Sequence, residues 1–144
     1  VSLFRKHYNH HLLDHTDFYP GGREVVKHFS SKNNAILSNK PTAFIEKILE
    51  ALNFLHPFDS ILGGDSLDVQ KPDPEGLQLL MNRFNCPAKE VLMIGDGAID
   101  IETGRQAGVI TCGVTYGLGN LASLRDSKPD YLIDNLAKLK LLIN

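Results

Sequence analysis

Two carboxylates four residues apart, Asp96 and Asp100, stand in Gly95-Asp96-Gly97-Ala98-Ile99-Asp100, directly after the apolar run Val91-Leu92-Met93-Ile94. An apolar run of this length predicts a strand buried on both faces, as in a parallel sheet. Gly95 and Gly97 predict a tight exit from its carboxyl end, where open α/β sheets keep their ligands. Asp96 at the strand tip and Asp100 near the next helix start could converge on a hard cation with oxygen ligands, Mg²⁺ above all. The same pair could serve only as a helix cap and a solvated first-turn acid. Two further sets could hold an anion. Ser38-Asn39-Lys40 follows the apolar run Ala35-Ile36-Leu37 and precedes Pro41. A hydroxyl and an amide at that point form either an anion cradle or a helix cap. Lys71, inside Gln70-Lys71-Pro72-Asp73-Pro74, sits in a stretch stiffened by two prolines. A pinned ammonium suits a phosphate, though an ordinary surface lysine needs no such role. His7, His11 and His15 recur every four residues with His10 beside them. That spacing can hold a transition metal, but nothing nearby completes a site, and a solvated polar face is the preferred reading.

These residues need elements to position them. Val1, Phe4, Tyr8 and Leu12 fall at helical spacing and predict an amphipathic first helix. Pro20-Gly21-Gly22 breaks the chain ahead of a second helix through Val25, Val26 and Phe29. Strands are predicted at Ala35-Ile36-Leu37, Ser60-Ile61-Leu62-Gly63, Val91 to Gly95, Ile110 to Val114 and Tyr131-Leu132-Ile133. Between them lie a helix opened by Pro41, with Phe44, Ile45, Ile48, Leu49 and Leu52 on one face, and one bearing Leu77, Leu80, Met81 and Phe84. A third follows Asp100 and stops near Gly108, and Leu136 to Ile143 closes the chain. Strands alternating with helices predict an α/β, doubly wound parallel sheet. Tyr116-Gly117-Leu118-Gly119 is expected as a flexible loop at a strand tip, with Tyr116 and Gly117 bordering the cleft without an assigned role.

Bulk properties exclude other classes. At 144 residues, 42% of them apolar, the chain is of single-domain size and can bury a sizeable core. A net charge of −2 gives no reason to expect nucleic acid or an anionic membrane as partner. No apolar run is long enough for a membrane span, and no signal-peptide pattern opens the sequence. Cys86 and Cys112 lack CxxC spacing and are read as small buried hydrophobes, so a reducing cytoplasm is expected.

Taken in order, Ser38-Asn39-Lys40, Lys71 in KPDP and the GDGAID stretch each fall at or just beyond a strand's carboxyl end. That set resembles motifs two, three and four of the haloacid-dehalogenase-like phosphatases. The stretches GGDSLDVQKPDP, DIETGRQAGV, GVTYGLGN and PDYLIDNLAKL resemble the phosphoglycolate phosphatase branch. The resemblance covers essentially the whole chain. It implies a Mg²⁺-dependent phosphate monoester hydrolase acting on a small phosphorylated metabolite, 2-phosphoglycolate first. By the same resemblance Ser38 and the Asn39 backbone amide would bind the phosphoryl group. Lys71 would neutralise its charge, and Asp96 and Asp100 would serve the metal, Asp100 directly or through water. Lys40 is read as a surface cation.

The family's first motif, DxDGT, has no counterpart, because no two Asp residues here are separated by one residue. Asp14-His15-Thr16-Asp17 has the wrong spacing. Residues 1–18 instead resemble the end of a helical cap, and 19–144 an incomplete core. The implied fold therefore lacks its leading central strand and most of its cap. Without the nucleophilic carboxylate, the isolated chain is expected to have negligible phosphatase activity. A missing mid-sheet strand leaves two unpaired edges, and five unsatisfied groups would cost of order 10 kcal/mol. That rivals the stability of a whole domain, about 5–15 kcal/mol. The slot is expected to be filled by a further segment of the same protein, by a second copy, or closed by pairing of its neighbours. The competing reading is a shortened, non-catalytic relative that binds a phosphate ester or a protein. An unrelated nucleotide-binding domain is disfavoured, since no GxGxxG follows a strand.

Overall fold

A computed structural model of the chain describes residues 2–4, 22–55, 57–117 and 119–143. The strands are β1 (Ser2–Phe4), β2 (Asn34–Leu37), β3 (Ser60–Leu62), β4 (Leu92–Gly95), β5 (Ile110–Val114) and β6 (Tyr131–Ile133). They form one sheet in the order β3-β2-β1-β4-β5-β6, and every pairing is parallel. The helices are α1 (Gly22–His28), α2 (Thr42–Ala51), α3 (Glu75–Arg83), α4 (Ala98–Ala107), α5 (Leu121–Asp126) and α6 (Leu139–Leu142).

Alternation along the central strands sends side chains to two separate cores. Ile36, Leu92 and Ile94 pack with Val26 of α1, Ile48 and Leu49 of α2, and Leu136 and Leu139 near the chain's end. Ala35, Leu37 and Met93 point the other way, onto Leu77 and Leu80 of α3. Period-two alternation on a strand with both faces covered leaves no solvated side, and β2 and β4 are buried at every residue. Helices therefore lie on both faces, the doubly wound architecture expected.

The amino-terminal expectation requires correction. Ser2–Phe4 is not helical but a strand in mid-sheet, with Ser2 and Leu3 opposite Asn34 and Ala35, and Ser2, Leu3 and Phe4 opposite Leu92, Met93 and Ile94. The slot expected to lack its strand is thus filled by the chain's own residues, none of the three outcomes foreseen. Two buried ladder edges need partners, and the backbone of Ser2–Phe4 supplies them. Residues 5–21, which carry the histidine spacing, Asp14, Asp17 and the boundary at 18, lie outside the described residues.

Other differences are local. The six-residue α5 was not foreseen; the Asn120 side chain accepts from the Ser123 N–H and starts it. Leu136–Lys138 forms a 3-10 turn before α6, and another spans Ala88–Glu90. Gly108, at φ +76, ends α4 as expected. Cys112 is fully buried, and burial pushes its thiol up to about 12. Cys86 is only half-buried, contrary to its reading as a core residue. No helix among the described residues is long and apolar enough to cross a membrane.

Candidate functional site

Ser38 and Asp96 each follow immediately after a neighbour of β1, so both stand at the carboxyl rim of the sheet. Both are buried, Ser38 3% and Asp96 5% exposed. Such burial of polar groups needs partners or a ligand. The Ser38 oxygen accepts from the Lys40 N–H at 3.1 Å, which shapes the turn after β2 and leaves the hydroxyl its own hydrogen to donate.

Neither Ser38 nor Asn39 caps α2, so the simpler reading of that pair does not hold. The helix start is served from another loop: Asp65 Oδ1 accepts from the Thr42 N–H at 2.9 Å and from the Thr42 hydroxyl at 2.7 Å. Ser66 joins them, its oxygen accepting from the Gly63 N–H at 2.9 Å. The Thr42 hydroxyl, then the Thr42 N–H, hold the Asp65 carboxyl below its ordinary value of 3.8. A depressed folded-state value means this contribution is present above 3.8 and lost as pH falls through the lower folded value. Asp65→Ala is therefore expected to lower the melting temperature at neutral pH, with the gap to the parent closing in acid. A gap that stays constant through the carboxylate range would contradict this.

Lys71 lies between β3 and α3, and its peptide bond to Pro72 is cis. The Asn39 side chain bridges to its backbone: Nδ2 donates to the Lys71 C=O at 3.1 Å, and Oδ1 accepts from the Lys71 N–H at 3.0 Å. The ammonium reaches under the rim and meets Asp100 Oδ1 at 2.7 Å, with the two side chains 1% and 0% exposed. A cleft beside it is lined by Ser38, Asn39, Gln70 and Lys71, among others. Lys40 instead lays its ammonium over the Phe44 ring, 5.2 Å from the centroid.

Asp100 occupies the third helical position of α4, and its Oδ2 accepts from the Gly97 N–H at 3.2 Å. It does satisfy the helix start, then, but it is buried and ion-paired rather than solvated. Gly95 explains how it fits: a Cβ there would lie 2.3 Å from the Asp100 Cβ, Cγ and Oδ2. The glycine is required for space, not for a tight exit.

Gly117, expected only to border the cleft, and Gly119, given no place at the site, both press on Asp96. A Cβ on Gly117 would lie 2.1 Å from the Asp96 Cβ and 2.5 Å from its Oδ2, and one on Gly119 would lie 2.0 Å from the Asp96 carbonyl oxygen. The loop after β5 therefore lies directly on Asp96. The available signal was two glycines, one residue apart, after a strand adjacent to the one bearing Asp96.

Whether the residues fit Mg²⁺ follows from the donor chemistry. Among the described residues no group of three or more His, Cys, Asp or Glu side chains forms. One or two carboxylates suffice when phosphate oxygens and waters complete the octahedron. Asp96 suits such a site directly; Asp100, already engaged by Lys71 and Gly97, suits it through water.

Residues 1–114 match the haloacid dehalogenase-like hydrolase family model. A phosphoglycolate phosphatase of Haemophilus influenzae is 34% identical over 96% of this chain, which spans 63% of that protein's length. A crystal structure described as a predicted phosphoglycolate phosphatase from Haemophilus somnus superposes with a TM-score of 0.83 at 32% identity, covering 88% of this chain and 57% of that one. A HAD-type hydrolase of Bacillus subtilis, solved bound to magnesium, shares the fold with a TM-score of 0.80 at 23% identity, over 92% of this chain and 59% of that one.

Proposed function

Because the chain belongs to the haloacid dehalogenase-like hydrolase family, we propose that its rim grips the phosphoryl group of a small phosphate monoester, 2-phosphoglycolate first, with Mg²⁺. The observation that carries this reading is the buried Lys71–Asp100 pair beside Ser38 and Asp96 at one end of the sheet. The Ser38 hydroxyl donates to a phosphoryl oxygen, and the Asn39 backbone amide lies next to it. Lys71 offsets the charge that collects on the phosphoryl oxygens, an effect strengthened where water is excluded. Asp100 keeps that ammonium in place. Asp96 would hold the cation, which supplies Lewis-acid polarisation of the phosphoryl oxygens. Two free thiols support a reducing cytoplasm as its setting.

Turnover needs an attacking carboxylate that these residues do not provide. The isolated chain is expected to bind 2-phosphoglycolate in the presence of Mg²⁺ and to hydrolyse it no faster than a metal-only blank. Calorimetric binding with a parallel phosphate-release assay checks both. Hydrolysis above the blank, with a longer contaminant excluded by mass, would overturn the inactivity; absence of binding would overturn the reading itself. One observation favours the second reading, a non-catalytic phosphate-ester-binding module: β1 already occupies the slot between β2 and β4, so a further strand could enter there only by displacing Ser2–Phe4. Binding that persists without turnover when the upstream segment of a longer relative is supplied would select it.

A further inference from the structure

We propose that the side chain of Asn39 is a positioning residue for Lys71 and not a ligand of the phosphate; this rests on the phosphoryl-binding reading given above. A primary amide presents an N–H donor and a C=O acceptor at nearly the spacing of a peptide group, with a second N–H to spare. Asn39 uses both on one residue, accepting from the Lys71 N–H at 3.0 Å and donating to its carbonyl at 3.1 Å, across 32 positions of sequence. The contact substitutes for a strand pairing in a loop that has none. Asp would keep the acceptor and place a second acceptor against the Lys71 carbonyl, and Ala would remove both bonds.

The consequence concerns the ammonium. Lys is a flexible four-carbon chain whose charge is useful only where it is held. Lys71 is fixed at both ends, at its backbone by Asn39 and at its tip by Asp100. Asn39 is itself pinned from the other side. A Cβ on Gly64 would fall 2.1 Å from the Asn39 carbonyl oxygen, and Gln70 donates to the Gly64 carbonyl at 3.1 Å. Two loops, the one after β2 and the one joining β3 to α3, thus close on the lysine, with the Asn39 amide as the joint between them.

The test uses the full chain, with inorganic phosphate in the presence of Mg²⁺ as probe. Asn39→Asp is expected to weaken phosphate binding on the order of tenfold, the effect of losing one bond and opposing two acceptors. Asn39→Ala, which adds no repulsion, is expected to weaken it less. Neither should weaken it further in a Lys71→Met background, because the effect travels through Lys71. A role confined to general stability would lower the melting temperature but leave the losses additive. Amide hydrogen exchange at Lys71 provides a readout independent of phosphate: slow in the parent and accelerated in Asn39→Ala. Phosphate binding in the parent with unchanged affinity in both variants, or a Lys71 amide that exchanges equally in parent and Asn39→Ala, would overturn the proposal. Failure of the parent to bind phosphate would instead count against the phosphoryl-site reading, and the exchange measurement would still decide the role of Asn39.

Discussion

Lys71→Met is expected to lower the unfolding free energy by about 3–5 kcal/mol, the cost of leaving one member of a buried ion pair without its partner. The ammonium stands 2.7 Å from Asp100 Oδ1, and neither side chain is more than 1% exposed. Methionine fills much of the same volume, so the loss reports charge rather than a cavity. Asp100→Asn, which strands the lysine instead, should cost a similar amount. The double replacement, Lys71→Met with Asp100→Asn, should recover much of the loss, because no isolated charge then remains inside. Urea unfolding of the four proteins at neutral pH measures the cycle. A Lys71→Met loss within about 0.5 kcal/mol of zero, the range of ordinary surface changes, would contradict this description of the pair.

Gly117→Ala is expected to weaken Mg²⁺ binding about 10–100-fold, the scale on which losing a metal ligand's supporting groups acts. The added methyl would arrive 2.1 Å from the Asp96 Cβ and 2.5 Å from its carboxylate oxygen, so either the loop or the carboxylate must move. Asp96 is the residue that would hold the cation, and nothing else in the change alters charge. Gly108→Ala is the control: it strains the backbone at φ +76, meets no atom within 4 Å, and lies after α4, ahead of β5, away from the carboxyl rim. It should cost stability and leave Mg²⁺ affinity unchanged. Calorimetric titration of both variants with Mg²⁺ separates the two effects. Equal affinities in Gly117→Ala and the parent would show that the loop does not set the position of Asp96.

The legible parts of the molecule were those whose signal is local. Ala35-Ile36-Leu37 and Val91 to Gly95 are unbroken apolar runs ending at polar residues, and only a doubly covered strand uses such runs. Lys71 ahead of its two prolines and the acids of the GDGAID stretch were likewise visible as residue types at particular places. Their pairing was not, because the Lys71–Asp100 contact joins positions 29 residues apart and depends on a loop meeting the first turn of α4. The Asn39 amide and the glycines at 117 and 119 were obscure for the same reason: each is defined by what it touches. Ser2–Phe4 is the instructive failure. Its neighbours carry a helical repeat through Val1, Phe4, Tyr8 and Leu12, and three residues are too few to show a period of two. Two open sheet edges outweigh that local preference. Arguing from those edges identified the need for a strand but not the residues that would meet it.

On the proposed reading, Ser38, Lys71, Asp96 and Asp100 act as one phosphate-binding and magnesium-binding rim. Backbone amide shifts recorded while Mg²⁺ and inorganic phosphate are added to the intact chain test it residue by residue. The predicted result is a contiguous set of changes at Ser38, Asn39, Lys71, Asp96 and Gly117, saturating together and absent with phosphate alone in Asp96→Asn. Changes scattered over other surfaces, or none at these residues at saturating phosphate and Mg²⁺, would contradict it.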